Sequence, residues 1–316
     1  MRISINVAHH AWPEGPAGSA AHLERVVTTA DDLGLDTVWV ADHLLQTDPA
    51  GSPDEAVLEA YTTLGFLASR SERVRLGAMA SPVAYRAPSL IVKAVTTLDV
   101  LSGGRALLGV GAGYADHEAA AMGLPTPTVA ERFDRMEDLL RLARQMWAGD
   151  DSPFLGTHTE IARPYAAPRP LSTPHPPVLI AGNGEARMLP LVARYADACH
   201  LPDVPHSGAT LRRKLDILAV HCRKLGRPVD DIDVSVGTRL RPEQSADELV
   251  AHCRHFAALG IEHMVLVPGG PWTTAAMTPL ARALPAIRGL RREPEEPASK
   301  VAYIDAYRVP AVSIPV

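Results

Sequence analysis

The sequence predicts an α/β fold in which eight parallel strands, each followed by a helix, close into a barrel, with an irregular Pro-rich insertion between strands four and five. Two observations lead there. Short apolar runs of strand type alternate eight times with longer runs of helical period along the 316 residues. The Gly-rich stretch GVGAGY (109–114) is a poor dinucleotide fingerprint, because Gly109, Gly111 and Gly113 lack the further spaced glycine and no helix follows at once. An open doubly wound sheet therefore loses to a closed one, which also removes both exposed edges.

The elements follow in order. ISINVA (3–8) is the first strand, and a helix from about Ser19 aligns Leu23, Val26, Val27, Ala30 and Leu33 before Gly34 closes it in the left-handed conformation. TVWVADH (37–43) is the second strand. Its helix, SPDEAVLEAYTTLGFLA, is expected to start at Ser52, with Pro53 in the first position and Glu55 completing a capping box. VRLGAMASP (74–82) pairs with a helix over Pro88 to Leu101, and RALLGVGAG (105–113) with one over Glu131 to Trp147. Across 150–177 the prolines remove so many amide donors that no regular structure is expected. PVLIAG (177–182), ACHLP (198–202), IDVSVGTRL (232–240) and HMVLVPGG (263–270) are strands five to eight. Pro190 delays the helix after the fifth to Arg187 or Met188, and Ser245 with Glu248 caps the helix after the seventh. The barrel thus occupies 1–290, with its insertion at 150–177, and 291–316 is a charged linker with an apolar tail.

Composition narrows the function. A formal charge of -5 without a basic stripe excludes a nucleic-acid footprint. The absence of a leader and of a long apolar run leads us to expect a cytoplasmic protein with no membrane contact. Cys199, Cys222 and Cys253 are too widely spaced for a CxxC pair and suit a reducing compartment. His252 and His255 flank Cys253 on a predicted outer helix without HExxH or a third ligand, so no metal is expected. Nor is there a GxSxG elbow.

In such a barrel the working residues lie at the C-terminal ends of the strands. That rule collects His9, His10 and Trp12 after strand one, Asp42 and His43 after two, Ser81 after three, Tyr114 after four, Asn183 and Glu185 after five, His200 after six and Arg239 after seven. In IAGNGEARML, Gly182 and Gly184 let the backbone approach an anion such as a phosphate, although a plain tight turn reads the same way. SGGR (102–105) precedes a strand and is read as a structural turn.

LGLDTVWVADHLL, the run from Val74 to Tyr114, and PPVLIAGNGEARMLPLVARYADACH together resemble the bacterial luciferase-like superfamily of flavin and deazaflavin oxidoreductases, closest to the branch that uses coenzyme F420. The resemblance covers most of residues 1–290. It implies a TIM barrel with an insertion, usually a homodimer, in which His43 lies at the reactive face of the ring and transfers a proton or polarises the substrate. Asp42 is expected to orient His43, although adjacent strand residues point to opposite faces. The resemblance places a non-prolyl cis peptide at Met79–Ala80 behind the ring, next to Ser81, with Gly111, Gly113 and Tyr114 beside the cofactor. Gly182, Asn183, Gly184 and Glu185 match the loop that holds its phosphate. His9, His10, Trp12 and Arg239 are expected to shape the substrate pocket, the alternative for the first three being an exposed polar loop. Tyr114 stands where the sugar-phosphate dehydrogenases carry a catalytic glutamate, which argues against that substrate. The implied activity is F420-dependent hydride exchange with a small organic substrate, in a biosynthetic pathway. The alternatives are a two-component monooxygenase fed with reduced FMN by a separate flavin reductase, and a non-catalytic relative that binds flavin or a partner.

Overall fold

A computed structural model describes residues 1–49, 51–203, 207–241 and 243–291, so the expected linker and apolar tail beyond Arg291 lie outside the described residues. Eight strands run parallel: β1 (Arg2–Val7), β2 (Thr37–Val40), β3 (Arg75–Ala78), β4 (Ala106–Gly111), β5 (Val178–Ala181), β6 (Ala198–Pro202), β7 (Asp233–Arg239) and β8 (His263–Val267). They are hydrogen-bonded in the order β3-β2-β1-β8-β7-β6-β5-β4, and β3 pairs again with β4 through Leu76↔Ala106 and Gly77↔Leu107. The sheet is therefore closed, as expected.

Small residues let it close. A side chain on Gly109 would put its Cβ 2.0 Å from the Ala78 carbonyl oxygen, and one on Gly77 would strike the Trp39 ring at 2.6 Å. Trp39 fills the barrel interior with Leu107, Leu179, Ala198 and Val265, a packed layer rather than a pore. At the N-terminal face, Ser4 bonds His263 at 2.7 Å, and Arg2 bonds Asp233 at 2.5 Å, a structural network far from the strand ends that matter for chemistry.

The helices surround this sheet: α1 (Ser19–Asp32), α2 (Ala60–Ala68), α3 (Pro88–Ser102), α4 (Asp116–Ala121), α5 (Val129–Ala148), α6 (Met188–Tyr195), α7 (Ser207–Lys224), α8 (Ala246–Ala258) and α9 (Thr274–Gly289). Ser245 and Glu248 form the expected capping box on α8. Helix α6 starts at Met188, as the proline requires. Gly103 ends α3 in the left-handed conformation, so SGGR is a turn.

Two expectations are corrected. Ser52 does not cap α2, which begins eight residues later behind Glu59, whose carboxylate accepts from Thr62 N. Glu55 does accept from Ser52 N, but its other oxygen is drawn to His9 and Gln46, so the segment closes a turn and runs on across the barrel end. The Pro-rich insertion is not wholly irregular either. Phe154–Leu155 and Glu160–Ile161 pair antiparallel, where the intervening GTHT carries no proline. Among the described residues no helix is long and apolar enough to cross a membrane.

Candidate active site

The loops behind the C-terminal ends of the strands bring together groups from distant parts of the chain. His43 follows β2, and its Nδ1 lies 2.7 Å from Oε2 of Glu118 on α4. Glu118 is fully buried and also accepts from the Leu44 amide, from the Leu45 amide at 3.0 Å and from the Tyr85 hydroxyl at 2.6 Å. Burial pushes its carboxyl up, but the donors from His43, Tyr85 and the two amides outweigh this and hold it at about 2. An ionised acceptor at Nδ1 requires Nδ1 to carry a hydrogen, so in the neutral ring the lone pair is on Nε2. There the Tyr114 hydroxyl lies 3.3 Å away, on a side chain that is 74% exposed. Tyr85 keeps its proton, since burial and then the Glu118 carboxylate raise its hydroxyl.

Asp42 does something different from what the sequence suggested. Its carboxylate is buried, accepts from Ser81 Oγ at 2.6 Å and takes a two-pronged contact from Arg86 at 2.7 and 2.9 Å. Arg86 also bonds Glu59 at 2.7 Å. The strand pleat turns Asp42 away from His43, so the orienting carboxylate is Glu118 and Asp42 ties β2 to the segment behind β3. In that segment Met79–Ala80 is a non-prolyl cis peptide, after which Ser81–Pro82 resumes pairing with Val110 and Gly111 of β4. Met79 packs on the barrel-interior layer, and Gly113, with φ +81°, approaches Pro82.

Behind β5, Gly182 has φ +151°, open to glycine alone, while Asn183 and Gly184 are exposed. The Asn183 carbonyl accepts from Lys214 Nζ at 2.5 Å. Glu185 pairs with Arg213 at 2.6 Å and lies 3.4 Å from Lys214. Glu185, an acid within the proposed anion loop, is thus matched by two cations from α7.

Across the mouth, His9 is buried, with Nδ1 3.3 Å from Glu55 and Nε2 3.3 Å from Asp48, the latter an ion-pair distance without an aligned hydrogen bond. Asp48 also pairs with Arg239 at 2.8 Å. His10 is buried with neither ring nitrogen bonded to protein, and burial, with His9 beside it, pushes it down to about 4. Trp12 departs from expectation: only 3% exposed, it donates to the Trp272 carbonyl at 3.3 Å and stacks on His22, so it packs the core instead of lining a pocket. Nor do His9 and His10 form an exposed loop. His200 is internal, 3.0 Å from Ser235 Oγ, and burial pushes it down to about 3. On α8, His252 bonds Thr238 at 2.8 Å.

Sequence reasoning missed Glu118, Tyr85, Arg86 and Asp48. Glu118 had one weak signal, an acid four residues beyond Tyr114 in YADHE, but it lies 75 residues from His43 along the chain. These residues fit a cofactor with a flat heterocycle and an anionic tail. Asn6 Oδ1 and Trp39 Nε1, on neighbouring strands in register, are buried without a protein partner, and the loop behind β5 offers a glycine cradle beside two cations.

Residues 1–299 match the profile of a family described as luciferase-like monooxygenase. The chain is 29% identical over 244 residues to the F420-dependent glucose-6-phosphate dehydrogenase of Amycolatopsis mediterranei, covering 76% of this chain and 70% of that one. It is 31% identical over 257 residues to the enzyme of the same name from Intrasporangium calvum, covering 78% and 72%. In fold it is similar to an F420-dependent secondary alcohol dehydrogenase solved with an F420–acetone adduct, with a TM-score of 0.77 at 17% identity over 91% of this chain and 99% of that one.

Proposed function

This chain belongs to the luciferase-like monooxygenase family, and from that premise we propose that it is an F420-dependent oxidoreductase acting on a small organic substrate. The relatives named above support the cofactor and the enzyme class. The observation that carries the role of the site is the 2.7 Å contact between His43 Nδ1 and the buried Glu118 carboxylate. When bound, F420 would exchange a hydride with the substrate carbon, and the protein's part is to position and to move the proton. In this reading Glu118 fixes the tautomer of His43, and Nε2 takes the proton of a substrate hydroxyl during oxidation or returns it during reduction. Tyr114, exposed and within reach of Nε2, passes that proton to solvent. Gly182, Asn183, Gly184 and Glu185, with Arg213 and Lys214, would hold the anionic tail, while Gly111, Gly113 and the Met79–Ala80–Ser81 segment back the ring. Asp42 keeps that backing segment in place through Ser81 and Arg86.

The reading includes a homodimer, to be checked by light scattering, and a cytoplasmic location, which suits three buried free thiols. A flavin reductase enters only with the monooxygenase alternative. A fluorescence titration decides between the two: F420 should bind at least about tenfold tighter than FMN, or about 1.4 kcal/mol. Equal affinity, or oxygen-dependent turnover with reduced FMN, would reject the F420 reading. His43→Ala should leave F420 affinity unchanged and cut turnover by about 10²–10⁴-fold.

A further inference from the structure

The two relatives named as glucose-6-phosphate dehydrogenases act on a sugar phosphate, yet the mouth of this barrel has its cations engaged. Among the described residues of its loops, strand ends and adjoining helices, Arg86 is held by Asp42 and Glu59, Arg132 by Asp116, Arg213 and Lys214 by Glu185, Arg239 by Asp48 and Arg241 by Glu248. These pairs are not equivalent. Glu185 and Arg213 lie at the surface, with the Arg213 side chain 71% exposed, so an anionic tail arriving at the glycine loop displaces a screened pair at little cost. The pair on the other side of the mouth is different.

The proposed cofactor loops follow β3, β4 and β5, which leaves the arc of β7, β8, β1 and β2 for the substrate. On that arc Arg239 is the last residue of β7, and Asp48 of the loop behind β2 reaches across to it at 2.8 and 3.0 Å. The Asp48 side chain is 11% exposed and is held from a second direction by His9, 3.3 Å away. Its amide is fixed by Gln46 Oε1 at 2.9 Å, so the carboxylate is built into its place. A phosphate drawn to Arg239, whose side chain is 42% exposed, would meet this largely shielded carboxylate, and Glu55 behind His9, at close range. Asp48 already offsets the guanidinium charge that would otherwise attract the phosphate.

We propose that Asp48 withdraws Arg239 from the substrate side of the mouth and so sets the substrate class, an organic molecule without a phosphate ester. This rests on the oxidoreductase reading and narrows its substrate.

The probe is glucose 6-phosphate, titrated calorimetrically into the protein with and without F420, with inorganic phosphate as competitor and glucose as the uncharged control. Wild type should show no saturation up to about 10 mM, beyond the upper end of ordinary KM values. Asp48→Asn, which frees Arg239, should raise the affinity for glucose 6-phosphate by about tenfold or more, with competition by inorganic phosphate. The double variant with Arg239→Gln should lose that gain. Asp48→Ser, made in parallel, keeps the readout if the asparagine variant does not fold. Saturation of wild type below about 1 mM overturns the proposal, and so does a folded Asp48 variant with unaltered F420 affinity and no gain. Failure of F420 to bind would strike the cofactor reading alone, because the apoprotein titrations still decide the phosphate question.

Discussion

In the proposed mechanism His43 serves as a base only while one tautomer persists, and Glu118 is the group placed to enforce it. Replacing Glu118 by Gln keeps the shape but offers an amide nitrogen to a site surrounded by donors from His43, Tyr85, Leu44 and Leu45. The expected result is a fall in kcat of about 10²-fold or more with F420 affinity retained, and a loss of about 1.5–3 kcal/mol of stability in urea melts. The pH dependence has a definite sign. Glu118 titrates at about 2 instead of its ordinary 4.5, so its stabilisation is present above 4.5 and is lost as pH falls toward 2. Acid unfolding of wild type should therefore steepen in that window, and the limb should flatten in Glu118→Gln. His43 was legible in the sequence because an apolar strand ended on it. Its partner was not, because a contact across 75 residues leaves no period or spacing to read. Asp42, the nearer acid, was the tempting partner, and the strand pleat sends it elsewhere.

Strands and most helices were legible because local chemistry sets them: Pro88 opens α3, Gly103 and Gly149 end α3 and α5 in the left-handed conformation, and Ser245 with Glu248 caps α8. Ser245→Ala should cost about 1 kcal/mol in thermal melts. The segment behind β2 was misread because its capping signal, Ser52 to Glu55, is overridden by tertiary pull on Glu55 from His9 and Gln46. That pull is itself pH-dependent. Asp48, then Glu55, beside His9 raise it above the ordinary 6.5 in spite of burial, so its contribution is complete below 6.5 and is lost as pH rises through the raised value. Hydrogen exchange of amides 44–48, 51–52 and 54–59, corrected for intrinsic rate, should accelerate above that titration. His9→Gln should abolish the pH effect, and a pH-dependent rate that persists in the variant would remove His9 from this role.

Closure of the whole barrel rests on close approach at glycines; the count of eight units predicted closure, but not which glycines permit it. Gly109→Ala would drive a methyl group into the Ala78 carbonyl, so it should lower stability by about 3 kcal/mol or more, or prevent folding. Gly104→Ala, at a left-handed turn on the opposite face with no atom closer than 3.8 Å, carries only backbone strain and should be milder. In the proposed mechanism the barrel gathers His43, Glu118, Arg239 and the Gly182–Glu185 loop at one end; the strand-end rule collected all of these but Glu118. The direct check is a crystal structure of the protein with F420 bound. The deazaflavin should lie over the C-terminal end of the strands, with His43 Nε2 facing its reactive carbon and the anionic tail on residues 182–185. A ring bound elsewhere, or a His43 turned from it with the Glu118 contact intact, would contradict the mechanism.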